Sequence, residues 1–316
     1  MVAAVRGGAH DDDVVGWALQ EARLRGAPVV LARAHEDPPE VTTWAWYPVV
    51  DGAAFRHEAA EGLELQRAAA VRAYPDLHIT THLLLGPAVP ALRALSERAQ
   101  LLVIGPGSRG RGPRIGRTAA HLATHARCPV AVVRRPRPPA TAAATVVAGV
   151  DGSSRSLAAA DVAGDHAVQQ GAGLVLLHAL PLEPVLYGYG VEPPSPEDEA
   201  LRTPVGRALQ AHVEQVRSRC PGLHVECSVV QDDPAHALVE ASRSAVLVVV
   251  GSRGLGAFCG LLLGSVSDGL VREAFGNVLV VHESRGADPS AEPAALSDPE
   301  APVGRRTSGG PGRDRG

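Results

Sequence analysis

The chain has 316 residues, a length that suits two domains, with 45% hydrophobic but only 3% aromatic residues, so its cores must be built from Val, Leu, Ile and Ala. A formal net charge of −4 offers no basic field for nucleic acid or an anionic membrane. All 30 basic side chains are arginines, which excludes a Walker-type phosphate lysine, a Schiff-base lysine and a kinase lysine within this chain.

Residues 1–13 turn acidic at once and lack the apolar stretch of a secretory signal. No apolar run reaches the ~18 residues of a membrane span. Cys128, Cys220, Cys227 and Cys259 include no CxxC pair, so neither a zinc ribbon nor a disulfide scaffold is indicated. The expected setting is cytoplasmic, soluble and reducing. Asp11-Asp12-Asp13 reads as a solvated helix start favoured by the helix dipole. Residues 42–51, with Trp44, Trp46 and Tyr47, read as a long loop. His78, Thr80 and His82 alternate on one strand face and read as solvated. Leu101-Leu102-Val103-Ile104-Gly105 leads into a Gly- and Arg-rich loop containing Ser108-Arg109, then a helix-like segment, then the apolar strand 129–133. His121 and His125 on that segment have the i, i+4 spacing of a zinc pair, but no carboxylate or cysteine completes a set in the sequence pattern.

A Pro-rich linker, 136–144, precedes a second series. It runs strand 145–150, helix 156–170, strand 173–180, a long loop 181–196 with Tyr187 and Tyr189, helix 197–219 and strand 224–230. Helix 234–243, strand 245–250, helix 265–274 and strand 278–281 complete it. The tail, 284–316, is rich in Pro, Gly, Ser and charge and reads as disordered. The series repeats the first: Gly26 and Gly171 stand 145 residues apart, Gly116 and Gly264 148 apart. A near-constant offset over a domain length means duplication. The expected domains are 1–135 and 145–283, each α/β with a parallel sheet covered on both faces.

In the second copy Gly251-Ser252-Arg253-Gly254 is followed, nine residues on, by Gly264-Ser265-Val266-Ser267. Glycines at a strand end let the backbone approach a ligand. A helix opening at Ser265 offers unpaired N–H groups and a positive dipole end to phosphate. The hydroxyls of Ser265 and Ser267 add hydrogen bonds, and Arg253 supplies the cation that no lysine provides. The bland alternative is a loop of glycines and a capped helix. The position after the fourth strand of an open α/β sheet favours a ligand site. Asp151-Gly152-Ser153-Ser154 reads as a turn and cap, or as a carboxylate facing the same crevice, suited to ribose hydroxyls or a metal on phosphates.

The spacing G-x2-G-x9-G-[ST], met by Gly251, Gly254, Gly264 and Ser265, resembles the ATP-binding signature of the universal stress protein family, as do Val150-Asp151-Gly152-Ser153 and Leu177-His178-Ala179. The resemblance covers about residues 2–282. It implies two tandem doubly wound five-stranded parallel sheets of order 3-2-1-4-5, adenine-nucleotide alpha-hydrolase-like. It also implies ATP near Asp151, adenine at the backbone of Ala179, and phosphates on the loop from Gly251 to Ser267 (Arg253, Gly254, Gly264, Ser265 and Val266 included), with Mg2+ left open. The family pairs through its last strand, so the strands ending at Val133 and Val281 are expected to pair within the chain as a pseudo-dimer, with a homodimer also open.

Copy one departs from the pattern. Arg6 falls at the position of Asp151, the Gly105–Gly116 interval is two residues shorter than Gly251–Gly264, and Arg117 replaces Ser265. Pro106 and Pro113 remove N–H donors. Copy one is therefore expected to bind ATP weakly or not at all. His178 reads as a packed residue, and Cys259 as loop packing or as a thiol whose oxidation blocks the nucleotide. No positioned general base is evident, so the expected role is an ATP-binding regulatory, stress-response protein, not an enzyme, with an unidentified protein partner. The alternative is a nucleotide-independent scaffold acting through protein contacts, and an ATP-using transferase ranks third.

Overall fold

Runs of Val, Leu and Ala without polar alternation become strands buried on both faces, because crossover helices cover a parallel sheet from both sides. The computed structural model describes residues 1–8, 11–36, 52–107, 115–134, 144–180, 204–254 and 263–282, which belong to a single unit spanning Met1–Glu283. The expected tail and all of the linker except Ala144 lie outside them.

The N-terminal half runs β1 (Val2–Val5), α1 (Asp11–Arg25), β2 (Val29–His35), α2 (Gly52–Ala73), β3 (Ile79–Leu85), α3 (Ala88–Ser96), β4 (Leu102–Ile104), α4 (Arg117–His125) and β5 (Val130–Val132). The C-terminal half runs β6 (Thr145–Gly149), α5 (Ser154–Gln170), β7 (Gly173–Leu180), α6 (Pro204–Arg219), β8 (Val225–Gln231), α7 (Pro234–Ala241), β9 (Leu247–Gly251), α8 (Ser265–Glu273) and β10 (Val278–Val281). The helix ends follow local chemistry. Ser153 caps α5 by accepting from Ser156 N, and Gly171 ends it in the left-handed region at φ 62°. Asp233 caps α7, with Pro234 in its first turn.

Each half has the order 3-2-1-4-5, but the two sheets are one. The ten strands run β3-β2-β1-β4-β5-β10-β9-β6-β7-β8. β5 and β10 pair antiparallel with Ala131 opposite Leu279, and the other described pairings are parallel. The expected intrachain pairing through the last strands is therefore present, and it removes an edge from each half. Packing continues across the junction. One apolar cluster includes Val5, Leu31, Val103, Ala148 and Val249, and the opposite face includes Leu102, Leu122, Val248 and Leu270.

Register makes the repeat residue-specific. Val2 faces Leu102 as Val147 faces Val248, and Leu102 faces Val130 as Val248 faces Val278. Arg6, Gly7, Asp11 and Glu21 thus match Asp151, Gly152, Ser156 and His166, while Ala123 and Arg134 match Val271 and His282.

On one face of the junction α1 meets α5 through a buried polar group. Arg25 Nη2 lies 3.1 Å from His166 Nε2. Because a guanidinium only donates, that nitrogen accepts, and the ring proton sits on Nδ1, 3.3 Å from Glu21 Oε2. Glu21 also pairs with Arg25, and Trp17 stacks on the imidazole at 6.3 Å. His166 is fully buried, and burial holds its pKa below 6.5, as it does for His282. As the pH falls the unfolded chain takes up protons first, so this stability is complete above about pH 6.5 and is lost below it. Chemical denaturation at about pH 7.5 and about pH 5.5 should show lower stability at the acid point, with the dependence weakened in His166→Gln. A pH-independent midpoint would contradict the buried neutral rings.

Candidate functional site

The loop after β9 is closed at its base. Gly264 N donates to Ser252 O at 2.8 Å, and Ser252 N donates to Val281 O at 2.8 Å. Ser267 Oγ, buried, donates to Gly251 O at 2.7 Å. That hydroxyl proton closes the loop and is not available to a ligand, contrary to the expectation for Ser267. Gly264, extended at φ −74° and ψ 156°, stands at the N-cap of α8 with no side-chain cap. Orphan first-turn amides at the positive end of a helix dipole suit an anion. Ser265 is exposed beside them. Val266 packs its side chain on the apolar core, so only its main chain faces outward chemistry. Asp268, also in the first turn, is paired with Arg272 at 2.8 Å.

Across the strand ends, Asp151 follows β6. Its Oδ1 accepts from Ser153 N at 3.0 Å, and its N donates to Ser156 Oγ at 3.2 Å. Its Oδ2 lies against Gly254 so closely that a Cβ there would overlap it. A Cβ on Gly251 would meet Arg155 O at 3.2 Å, whereas one on Gly264 would meet only Arg253 Cα at 3.6 Å, Ser252 O at 3.7 Å and Gly254 N at 3.9 Å. Asp151, Gly251, Arg253, Gly254, Gly264 and Ser267 are therefore gathered at one place. Ala179 lies on β7, two strands from β9, paired with Val230. Residues 255–262, Cys259 among them, lie outside the described residues. Two surface clefts of about 500 and 590 Å³ lie elsewhere, lined in part by His236, Arg243 and Phe275 and by Arg207, Glu214 and Cys227. Strand-end topology and backbone chemistry, rather than cleft size, single out the β9–α8 loop.

The N-terminal half keeps the frame, with α4 also uncapped at Gly116, but fills its β1–α1 turn. Gly7 has φ 84°, as its counterpart Gly152 has φ 85°, and Gly116 N donates to Pro106 O at 2.6 Å as Gly264 does to Ser252. At the position of Ser156, however, stands Asp11, 3% exposed. Its Oδ2 accepts from the amides of Arg6 (2.9 Å), Gly7 (2.5 Å) and Gly8 (2.9 Å), with Gln66 Nε2 at 3.4 Å. The expectation of a solvated Asp11 is thus overturned, because the Gly7-Gly8 turn folds three donors back onto its carboxylate. Arg6 reaches across to Gly107 O at 3.1 Å. By register and loop closure Gly107, not Arg109, matches Arg253, so this half has no arginine there. Asp11→Ala would orphan three donors and should cost about 1–3 kcal/mol in urea denaturation. Unchanged stability would show that the amides find water instead.

Other candidates resolve without chemistry. His178 is buried, with Nδ1 2.8 Å from Val150 O. His121 and His125 stack at 3.9 Å, and no cluster of three metal-ligating side chains occurs among the described residues. Cys128, Cys220 and Cys227 form no disulfide, and burial pushes the Cys128 thiol up to about 12. No helix among the described residues is long and apolar enough to cross a membrane. The aromatic segments expected as loops, 42–51 and 181–196, lie outside the described residues. Sequence reasoning gives Asp11 the wrong role and misses Arg134 and the Glu21–His166 pair, although comparing the halves position by position flags each.

The universal stress protein family model matches residues 1–134 and 143–282. The chain is 34% identical over 283 residues to Universal stress protein Rv2623 of Mycobacterium tuberculosis (strain ATCC 25618 / H37Rv), covering 85% of this chain and 92% of that one. It is 32% identical over 294 residues to Universal stress protein Rv2005c of the same strain, covering 90% and 97%. A universal stress protein structure from Archaeoglobus fulgidus DSM 4304 matches with a TM-score of 0.65 at 17% identity, over 89% of this chain and 97% of that one.

Proposed function

This chain belongs to the universal stress protein family, and from that premise we propose that it is a regulatory ATP-binding protein whose single nucleotide site lies in the C-terminal half. The functional division is taken at 1–135 and 145–283. The observation that carries the reading is the approach of the Asp151 carboxylate to Gly254 beside the uncapped start of α8. A carboxylate and a row of free-ended amides at one strand end match the two ends of a nucleotide, hydroxylated sugar and anionic tail. Asp151 would hold ribose hydroxyls, or a magnesium ion on the phosphates. The backbone at Ala179 would border adenine. The amides of Gly254, Ser265, Val266 and Ser267 would receive phosphate oxygens, with Ser265 Oγ and Arg253 adding hydrogen bonds and charge.

Efficient catalysis is not part of the proposal. His178, the imidazole nearest in sequence to the site, is turned into the Val150 carbonyl, and general-base chemistry needs a group within reach of the attacking water. ATP occupancy would instead reshape the β9–α8 loop and the surface offered to a cytoplasmic protein partner. The N-terminal half is taken as nucleotide-free, since Arg6 stands where Asp151 does and Asp11 fills the β1–α1 turn beside it as an internal anion. That same plug favours the second reading, a scaffold acting through protein contacts alone. Mass spectrometry of small molecules released from the purified chain separates the two. An adenine nucleotide is expected, and a ligand-free chain that also fails to bind added ATP would leave the scaffold.

A further inference from the structure

We propose that Arg134, at the end of the N-terminal half, is a positioning residue for the phosphate cradle of the C-terminal half, holding α8 from its far end; the inference rests on the nucleotide-site reading above. Arg134 follows β5 and is 6% exposed. Its Nη2 donates to Val271 O at 2.7 Å and its Nη1 to Gly276 O at 3.3 Å, while its main-chain N donates to Asn277 Oδ1 at 2.9 Å. Val271 contributes one of the last four carbonyls of α8, which have no partner within the helix. One guanidinium fork therefore spans the final turn of α8 and the turn leading to β10. Burial lowers its pKa only to about 10, so it stays a cation at the negative end of the helix dipole.

The pseudo-twofold relation distinguishes this clamp from ordinary packing. The matching residue, His282, touches the matching carbonyl, Ala123 O, at 3.0 Å on α4. Burial depresses the pKa of His282 and favours the neutral ring. The helix that opens the proposed cradle is thus held by a charged donor from the other half, whose second prong grips the following turn at Gly276. The helix beside the Asp11-filled frame is held by a neutral single donor. The difference in clamps follows the difference in sites. Because α8 has only nine residues, its two ends are about 13 Å apart, and a short helix moves as a rigid rod. Tilting its C-terminal end would swing the first-turn amides away from the Gly254 side of the loop. This gives the N-terminal half a role in nucleotide binding without a nucleotide of its own.

The test compares ATP with adenosine, which lacks the phosphates, in the full chain. The wild type should bind ATP more tightly than adenosine. Arg134→Met should weaken ATP about tenfold and leave adenosine unchanged, since only phosphate contacts depend on the aim of α8. Arg134→Lys, which keeps the charge but not the fork, should lose less ATP affinity and again none for adenosine, and it serves as the reading if the Met variant does not fold. Unchanged ATP affinity, or equal weakening of both ligands, would overturn the positioning role while leaving the site. A wild type with no preference for ATP over adenosine would overturn the site reading itself, and this inference with it.

Discussion

Replacing Gly264 with valine is expected to weaken ATP binding by about a hundredfold or more, while changing stability by only about 1 kcal/mol. The backbone at 264 is extended, which valine adopts without strain, and a Cβ there meets neighbours only at ordinary contact distances. The added methyl groups would instead project into the space between Arg253, Gly254 and the start of α8, where the phosphates are proposed to lie. Gly254 makes the contrasting variant. Even alanine there would collide with Asp151 Oδ2, so Gly254→Ala must move the carboxylate or the loop and should disturb binding through both. Calorimetric titration with ATP, beside a urea melt of each variant, separates the cases. A folded Gly264→Val protein with wild-type affinity would remove the loop from the site.

The largest stability effect is expected at the α1–α5 junction. Glu21→Ala should cost about 3–5 kcal/mol, because it leaves Arg25 and His166 without their carboxylate at a position only 2% exposed. Arg25, about a third exposed at its side chain, can turn toward water, which places the loss nearer the lower figure. The paired change Glu21→Leu with His166→Leu removes the acceptor and its buried partner together and should recover much of that loss. A Glu21→Ala chain that unfolds at the wild-type urea midpoint would mean that the polar group adds nothing to the union of the halves.

Both variants bear on what the amino-acid order reveals. Strands 173–180 and 278–281 were legible to the residue, because Gly and Asn punctuate apolar runs there. β8 lies one residue later than its apolar pattern suggests, and α5 starts two residues earlier, because Ser153 is the N-cap and accepts from Ser156 N inside the first turn. The loop glycines and Asp151 were also legible as candidates. Their mutual approach was not, since it depends on β6 lying next to β9. The fusion of two sheets into one was anticipated as pairing of last strands, and it produces contacts no local pattern can report. Arg134 and Val271 are 137 residues apart, Arg25 and His166 141. Asp11 was misread for a different reason. Three consecutive acids look solvated, and only the backbone turn at Gly7-Gly8 shows that one of them is an internal ligand.

The most direct test is the stoichiometry of ATP binding to the intact chain by isothermal titration calorimetry. A single site per chain, lost in Gly264→Val and retained in Asp11→Ala, is the expected result. Two equivalent sites, or no heat of binding at all, would contradict a chain in which one half sets the Asp151 carboxylate against its loop and the other has Arg6 there, with Asp11 filling the turn beside it.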